Sequence, residues 1–292
     1  MVVALLLAIA GVAAILYPYV SDYLARRGQA RVGEYQEGVV AKTSKQSLSA
    51  EWERAREFNQ RQLEGRVVVS DPFDPNNATP SDKEYESVLN LAGDGVMGQL
   101  IIPCIGVDLP IYHGVSDDRL LRGVGHLPTT SLPIGGPSTH CVLAGHTGLP
   151  SAKILGDIDQ LKKGDWFIIR VLGEDHAYRV TGSEVVLPDQ TQSLVTQDGK
   201  DLVTLVTCTP YGVNTHRLLV HAERCEVPQE WLDMQKKGDH VPLLTPSDKG
   251  APLVVLSLLG LGVGIGLLVL RWIFVRRRAE SPGYAPRHAR RQ

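Results

Sequence analysis

Between about residue 98 and residue 228 the chain is a train of short apolar or alternating runs. They cover 100–103, 107–112, 139–144, 166–172, 177–181, 184–187, 202–207 and 218–222, and clusters of Gly, Pro, Asp and Asn separate them. Runs of this length, rich in β-branched residues and closed by turn formers, read as strands, because branched side chains pack well on a pleated surface while Gly and Pro end it. Eight short strands with turns between them bury their apolar faces as a closed barrel or a sandwich, so the fold class is mainly β with short helices. One interruption, 151–161, places Ile154, Leu155, Ile158 and Leu161 at helical spacing.

The flanks differ. The chain has 292 residues, enough for one sizeable core plus extra segments. Residues 2–20 and 251–270 hold no charged side chain, and each matches the roughly 20 residues a helix needs to span a bilayer. Arg271, Arg276, Arg277 and Arg278 follow the second stretch, and such a cluster marks the cytoplasmic side. The expectation is a transmembrane helix over 251–275, a cytoplasmic basic tail over 276–292, and residues 21–250 on the extracellular face of a cell membrane. The first stretch, 1–20, reads as an anchor or as a signal peptide. Residues 271–292 carry seven Arg and one Glu, so the rest of a chain of net charge −2 carries −8. An acidic outer part offers nucleic acid no electrostatic footing.

Residues 21–65 are polar and rich in helix formers, and read as a helical stalk. Ser49 is placed to cap a helix with Glu51 and Glu53 in its first turn, and Trp52, Ala55, Phe58 or Asn59, and Leu63 recur at helical spacing. Within 66–95, Asp71-Pro72-Phe73-Asp74-Pro75-Asn76-Asn77 is dense in turn formers and reads as a loop. The barrel is expected over 96–228 and a polar linker over 229–250.

Three chemically active residues sit at the edges of strand-like runs. Cys208 ends Thr204-Leu205-Val206-Thr207-Cys208, Arg217 opens the next run, and His146 ends Val142-Leu143-Ala144-Gly145-His146. A cysteine nucleophile works as its thiolate, an imidazole can move the proton, and a guanidinium can stabilise an oxyanion. If 202–207 and 218–222 are antiparallel neighbours, Cys208 and Arg217 share one end of a hairpin. His140 and His216 flank the same motifs but are displaced from that rim. Cys104, Cys141 and Cys225 show no metal-ligand spacing, and are open to one disulfide or to service as buried thiols.

With these motifs in hand, the chain resembles the sortases, membrane-bound cysteine transpeptidases of Gram-positive bacteria. Thr204-Leu205-Val206-Thr207-Cys208 is similar to the family's TLxTC signature, with Arg217 at the matching distance and Gly145-His146 as the histidine segment. Gly123-Val124-Gly125-His126-Leu127, the segment from Ser131 to His140, and the segment from Thr207 to Arg217 resemble the class C, pilus-polymerising branch. The resemblance covers about 66–228 and implies an eight-stranded β-barrel. It implies that Cys208 attacks the Thr–Gly bond of an LPxTG-like signal, that His146 is the general acid and base, and that Arg217 holds the carbonyl and oxyanion. The acceptor it implies is a lysine of the next pilin. It also makes Asp71 and Phe73 a lid, the Asp approaching the Arg and the aromatic covering the Cys. Thr147 departs from the family, where many relatives carry an arginine after the histidine.

The partners implied are pilin subunits with LPxTG-like signals, a pilin acceptor lysine and the membrane. No cofactor motif is present. The competing readings are a sortase that attaches proteins to a peptidoglycan amine, a non-catalytic pilin-binding assembly factor, and a simple cysteine peptidase.

Overall fold

The computed structural model describes residues 2–64, 69–74, 82–147, 149, 151–238 and, singly, Gly260, Gly262, Gly264, Gly266 and Arg271. The expected linker beyond Gly238, most of the second apolar stretch and the basic tail lie outside the described residues. The chain divides into two units, Met1–Tyr17 with Asp248–Gln292, and Pro18–Ser247. Among the described residues no helix is long and apolar enough to cross a membrane.

Helix α1 (Val2–Lys42) runs unbroken past residue 20. Within the second unit it lies along the barrel: Asp22 accepts from the Lys153 amide at 2.6 Å, Gln29 donates to the Arg122 carbonyl, and Arg170 pairs with Glu37. Helix α2 (Lys45–Glu64) begins four residues before the expected cap. Ser44 is the residue that accepts from the Ser47 amide, so Ser49 falls inside the helix. Trp52, Ala55, Phe58 and Asn59 are buried, but Leu63 is exposed, because the buried stripe ends at Asn59. The Asn59 amide closes two bonds with the Leu132 backbone, which ties the stalk to the barrel.

The strands are β1 (Val96–Ile102), β2 (Val107–His113), β3 (Val124–His126), β4 (Thr139–Ala144), β5 (Trp166–Val171), β6 (Glu174–Val186), β7 (Asp201–Thr209) and β8 (His216–Cys225). They close into a barrel in the order β1-β2-β3-β4-β7-β8-β6-β5, with β2–β3 and β4–β7 parallel and the other pairs antiparallel. The total matches the expected eight only because two differences offset each other. Runs 177–181 and 184–187 are one strand, β6, whose register slips by one residue between Val180 and Gly182. A bulge of this kind puts turn-like residues inside a continuous strand. The missing partner is β3, three residues long within the Gly-Val-Gly-His motif. A Cβ at Gly125 would strike the Gly114 carbonyl and one at Gly123 the Pro110 carbonyl, so close approach of two strands, not strand propensity, dictates this sequence.

The segment 151–161 is a second correction. It forms bends and a single 3-10 turn, Ile158–Gln160, with Ile154, Leu155, Ile158 and Leu161 all buried against the barrel. Its helical spacing served burial of a folded-over loop. The expected linker also begins later than 229, since α5 (Gln229–Lys237) buries Trp231, whose indole donates to Asp175 at 2.7 Å. Two short helices complete the described unit. Helix α3 (Lys83–Ser87) is capped by Asp82, and α4 (Asp117–Leu120) leads into β3.

Alternation along β7 sorts its two faces. Val203 and Leu205 join the large cluster inside the barrel. Val206 faces the other way, into a small outer cluster with Leu127, Val142, Leu194 and Leu219. Thr204 and Cys208, two residues to either side of Val206, share that outer face.

Candidate active site

The β7–β8 ladder pairs Cys208 directly with Arg217, so both leave one end of the hairpin from adjacent strands. Parallel pairing of β4 with β7 brings the end of β4 to the same rim, and the ladder continues one step beyond Ala144 as the Gly145 amide donates to Val206. His146 follows at once. Its backbone is held from both sides: Thr207 Oγ1 donates to the Gly145 carbonyl at 2.7 Å, and the Leu155 amide donates to the His146 carbonyl at 3.0 Å. A Cβ at Gly145 would lie 2.7 Å from Leu155 Cγ, so glycine lets the folded loop 151–161 pack beneath the histidine. Three strands thus deliver thiol, imidazole and guanidinium to one edge.

The segment 69–74 lies across them. Asp71 grips Arg217 with both carboxylate oxygens, accepting from Nε at 2.8 Å and from Nη2 at 2.6 Å. Parallel bonds of this kind are the strong form of the Arg–carboxylate pair. Asp71 also shapes its own turn, accepting from the Phe73 amide through its side chain and from the Asp74 amide through its carbonyl. The Phe73 ring stacks over the Arg217 guanidinium, 5.1 Å from centroid to Cζ, and meets the His146 ring at 5.9 Å. Val69 and Phe73 pack on the small outer cluster, and Thr191 Oγ1 donates to the Val69 carbonyl at 2.9 Å.

This cover sets the electrostatics. Burial raises the Cys208 thiol above its ordinary range; Arg217 pulls it down and Asp71 pushes it up. Burial lowers the His146 imidazole, against a smaller opposing effect of Asp117. The covered state therefore favours a neutral thiol beside a neutral imidazole. For Arg217, burial is the largest single effect and works against the charged form, but the hydrogen bonds to Asp71 together with the charges of Cys208 and Asp71 outweigh it and strengthen the cation.

Two groups that hold Arg217 are not evident in the sequence. Its Nη1 donates to the carbonyls of Asn214 and His216. Asn214 sits at φ 60°, in the left-handed region that asparagine tolerates, and the only sequence hint is the turn-forming run Tyr211-Gly212-Val213-Asn214. The half-buried His216 bonds to Thr215, and the His140 ring bonds elsewhere, so neither joins the rim. All four cysteines are free: Cys141 is buried in the barrel core, Cys225 packs beside Trp231, and Cys104 is exposed. Among the described residues no cluster of His, Cys, Asp and Glu is arranged to hold a metal ion.

Residues 100–225, which hold the histidine, the cysteine and the arginine, match the family described as Sortase domain. Sortase C-1 from Actinomyces oris is 46% identical, with 62% of this chain and 99% of that chain covered and a TM-score of 0.58. The chain belongs to the sortase family. Sortase C1 from Streptococcus agalactiae is 38% identical, covering 68% of this chain and 100% of that one at a TM-score of 0.62. Among curated proteins, Sortase A of Bacillus anthracis is 31% identical over 125 residues, 43% of this chain and 58% of that protein. The chain spans little more than half the length of the first curated relatives it matches. The similar solved structures are sortases of class C.

Proposed function

We propose that this sortase is a class C transpeptidase that cleaves an LPxTG-like signal between Thr and Gly and joins the new acyl group to a pilin lysine. The observation that carries the reading is the cover: a carboxylate bidentate on Arg217, and an aromatic ring lying across Arg217 and His146. An open groove needs neither. The likeness to a solved structure described as "Sortase C1 of GBS Pilus Island 1", 37% identical over 69% of this chain with a TM-score of 0.61, supports the pilus assignment.

In this reading the cover lifts first, exchanging Asp71 for the substrate carbonyl on Arg217. The Cys208 thiol passes its proton to His146 as its sulfur attacks the Thr carbonyl carbon, and Arg217 stabilises the oxyanion. As the Thr–Gly bond breaks, His146 gives a proton to the leaving amine. A thioester to Cys208 remains. The lysine amine then attacks it, His146 takes the amine proton and passes it to the departing sulfur, and collapse forms an isopeptide bond and returns the thiol. The chain's apolar segments hold it in a cell membrane, with the barrel outside and the basic tail inside.

The test is mass spectrometry of the protein mixed with an LPxTG peptide, alone and with pilin. An adduct on Cys208 ending at the peptide's Thr, absent from Cys208→Ala, followed by transfer to a pilin lysine, is the expected result. Transfer to a peptidoglycan amine but not to pilin favours the cell-wall reading. Absence of an adduct even with Asp71 and Phe73 replaced leaves a pilin-binding role.

A further inference from the structure

Strand β6 outlasts one of its neighbours. β5 pairs with it only from Glu174 to Arg179, whereas β8 pairs with it as far as Val186. The turn before β5 still covers the next residue: the Val180 amide donates to the Asp165 carbonyl, and the Gly164 amide donates to the Val180 carbonyl. From Thr181 to Val186 the side of β6 away from β8 is an open edge among the described residues.

The ladders fix which backbone groups face that edge. In an inner strand, alternate residues turn both N–H and C=O toward the same neighbour. The Gly145 amide donates to the Val206 carbonyl, so Val206 faces β4, and Leu205 and Thr207 face β8. Their partners Val220 and Leu218 then face β7. That leaves Arg217, Leu219 and His221 to bond Val186, Glu184 and Gly182. Ser183 and Val185 therefore point their N–H and C=O outward, and among the described residues neither meets a partner. Both residues are exposed. Val185 is 59% accessible and Leu187, just beyond the strand, 45%. An unpaired edge beside exposed apolar side chains is a template for another strand. This edge runs to the active-site rim, because its last residue, Val186, pairs in register with Arg217.

The pleat decides what such a strand must carry. Glu184 shares a face with Val186, which packs on the outer cluster beside Phe73, while Val185 stands on the opposite face with Leu218. Between Thr181 and Gly199 the chain holds Glu184, Asp189 and Asp198 and no Lys or Arg. Hydrogen bonds from Ser193 and His221 keep the Glu184 carboxyl below its usual range, so it is charged at neutral pH. One face of the edge thus asks for cations and the other for apolar side chains. A second copy of this chain fits poorly. The antiparallel register that uses both outward residues of each edge sets the two Glu184 carboxylates directly opposite, where like charges repel.

We propose that the β6 edge from Thr181 to Val186 takes up, as an added strand, an extended segment that alternates apolar and basic residues, and that this segment belongs to the subunit bringing the acceptor lysine. Only the second clause rests on the transpeptidase reading.

The test of the first clause is amide hydrogen exchange of the full chain carrying Cys208→Ala, which cannot be acylated, with a short peptide alternating valine and lysine. In the free protein the Ser183 and Val185 amides are expected to exchange fast, while those of Glu184 and Val186, bonded to β8, are protected. Saturating peptide is expected to slow Ser183 and Val185 about tenfold, the scale of a hydrogen bond gained. A peptide of the same composition with its valines and lysines in two blocks is expected to slow neither. No slowing, or equal slowing by both peptides, overturns the added strand. Protection that grows with protein concentration in the absence of peptide assigns the edge to a second copy and overturns it as well. The second clause is tested on Val185→Pro, which removes one outward N–H where an edge strand tolerates proline. Its KM for the alternating peptide as acceptor is expected to rise about tenfold, on the same scale, with acylation of Cys208 by an LPxTG peptide and transfer to hydroxylamine unchanged. Equal peptide transfer in variant and wild type overturns the acceptor role and leaves the transpeptidase reading intact. Absence of acylation in the wild type overturns the transpeptidase reading and the acceptor role together, while the exchange result still decides the added strand.

Discussion

Inside the barrel, Phe167 stacks on Tyr178 at 5.8 Å, both are fully buried, and Leu100, Ile169, Val203 and Leu205 belong to the same cluster. Over Cys208 the described cover is the segment 69–74, whose contacts include the Asp71–Arg217 ion pair, the Thr191 hydroxyl bond at Val69, and the packing of Val69 and Phe73 on the outer cluster, Arg217 and His146. The barrel cannot lose one contact without leaving a cavity, because its side chains face each other across a closed sheet. The cover faces water on its outer side, so each of its contacts has an alternative partner when it lifts. Regions that must open for function are drawn from this weakly held kind. The difference teaches that the closed site and the stable fold are separable properties of one chain.

The sharpest way to break that separation is at the thiol. Cys208→Ala is expected to abolish peptide acylation completely while leaving the melting curve of the protein close to wild type. A large loss of stability would mean that the rim belongs to the core. In the barrel, Phe167→Ala is expected to cost about 3–5 kcal/mol, measured by denaturant unfolding. A loss under about 1 kcal/mol there would mean that the barrel repacks like a surface.

At the cover, Asp71→Ala and Phe73→Ala are each expected to raise the rate at which a small thiol reagent modifies Cys208 by about tenfold, with stability changed by no more than about 1 kcal/mol. Removal of Asp71 takes away a charge that pushes the thiol up and frees Arg217, which pulls it down. The pH at which Cys208 becomes reactive should therefore fall in Asp71→Asn. Labelling rates equal to wild type in both variants would separate the segment from the thiol.

Acid sharpens the comparison further. His126 is fully buried, bonds to Tyr85 and to the Ser131 carbonyl, and burial lowers its pKa to about 4. Its contribution to stability is present above the ordinary value of about 6.5 and is lost as pH falls through about 4, at most about 3 kcal/mol. Chemical unfolding at stepped pH should show this loss in wild type and its absence in His126→Asn, if that variant folds. The smallest expected effect is Thr207→Val, about 1 kcal/mol for the bond to the Gly145 carbonyl.

Much of the site was readable because it lies at strand ends. Cys208 and Arg217 bracket a turn of known formers, and hairpin geometry alone puts them together. Their pairing in register is the structure's statement of that local rule. The strands 107–112, 139–144 and 202–207 were readable for the same reason: local apolar pattern and local turn chemistry. β3 was not, because its glycines answer to carbonyls on other segments rather than to strand propensity. Segment 151–161 misled because helical spacing of four apolar residues also suits a loop that buries one side. Leu63 misled because the stripe on α2 ends where the barrel does.

The sequence by itself determined the β-rich class, the hairpin that carries Cys208 and Arg217, and the turn at Asp71, since each depends on residues within a dozen positions of one another. Only the tertiary structure decided that Asp71 reaches Arg217 across 146 positions, that β4 runs parallel to β7 so that His146 joins the rim, and that Thr204 lies between two histidines. The reason is physical. Local patterns state which face of a segment must be buried, but register and barrel closure choose which distant segment buries it.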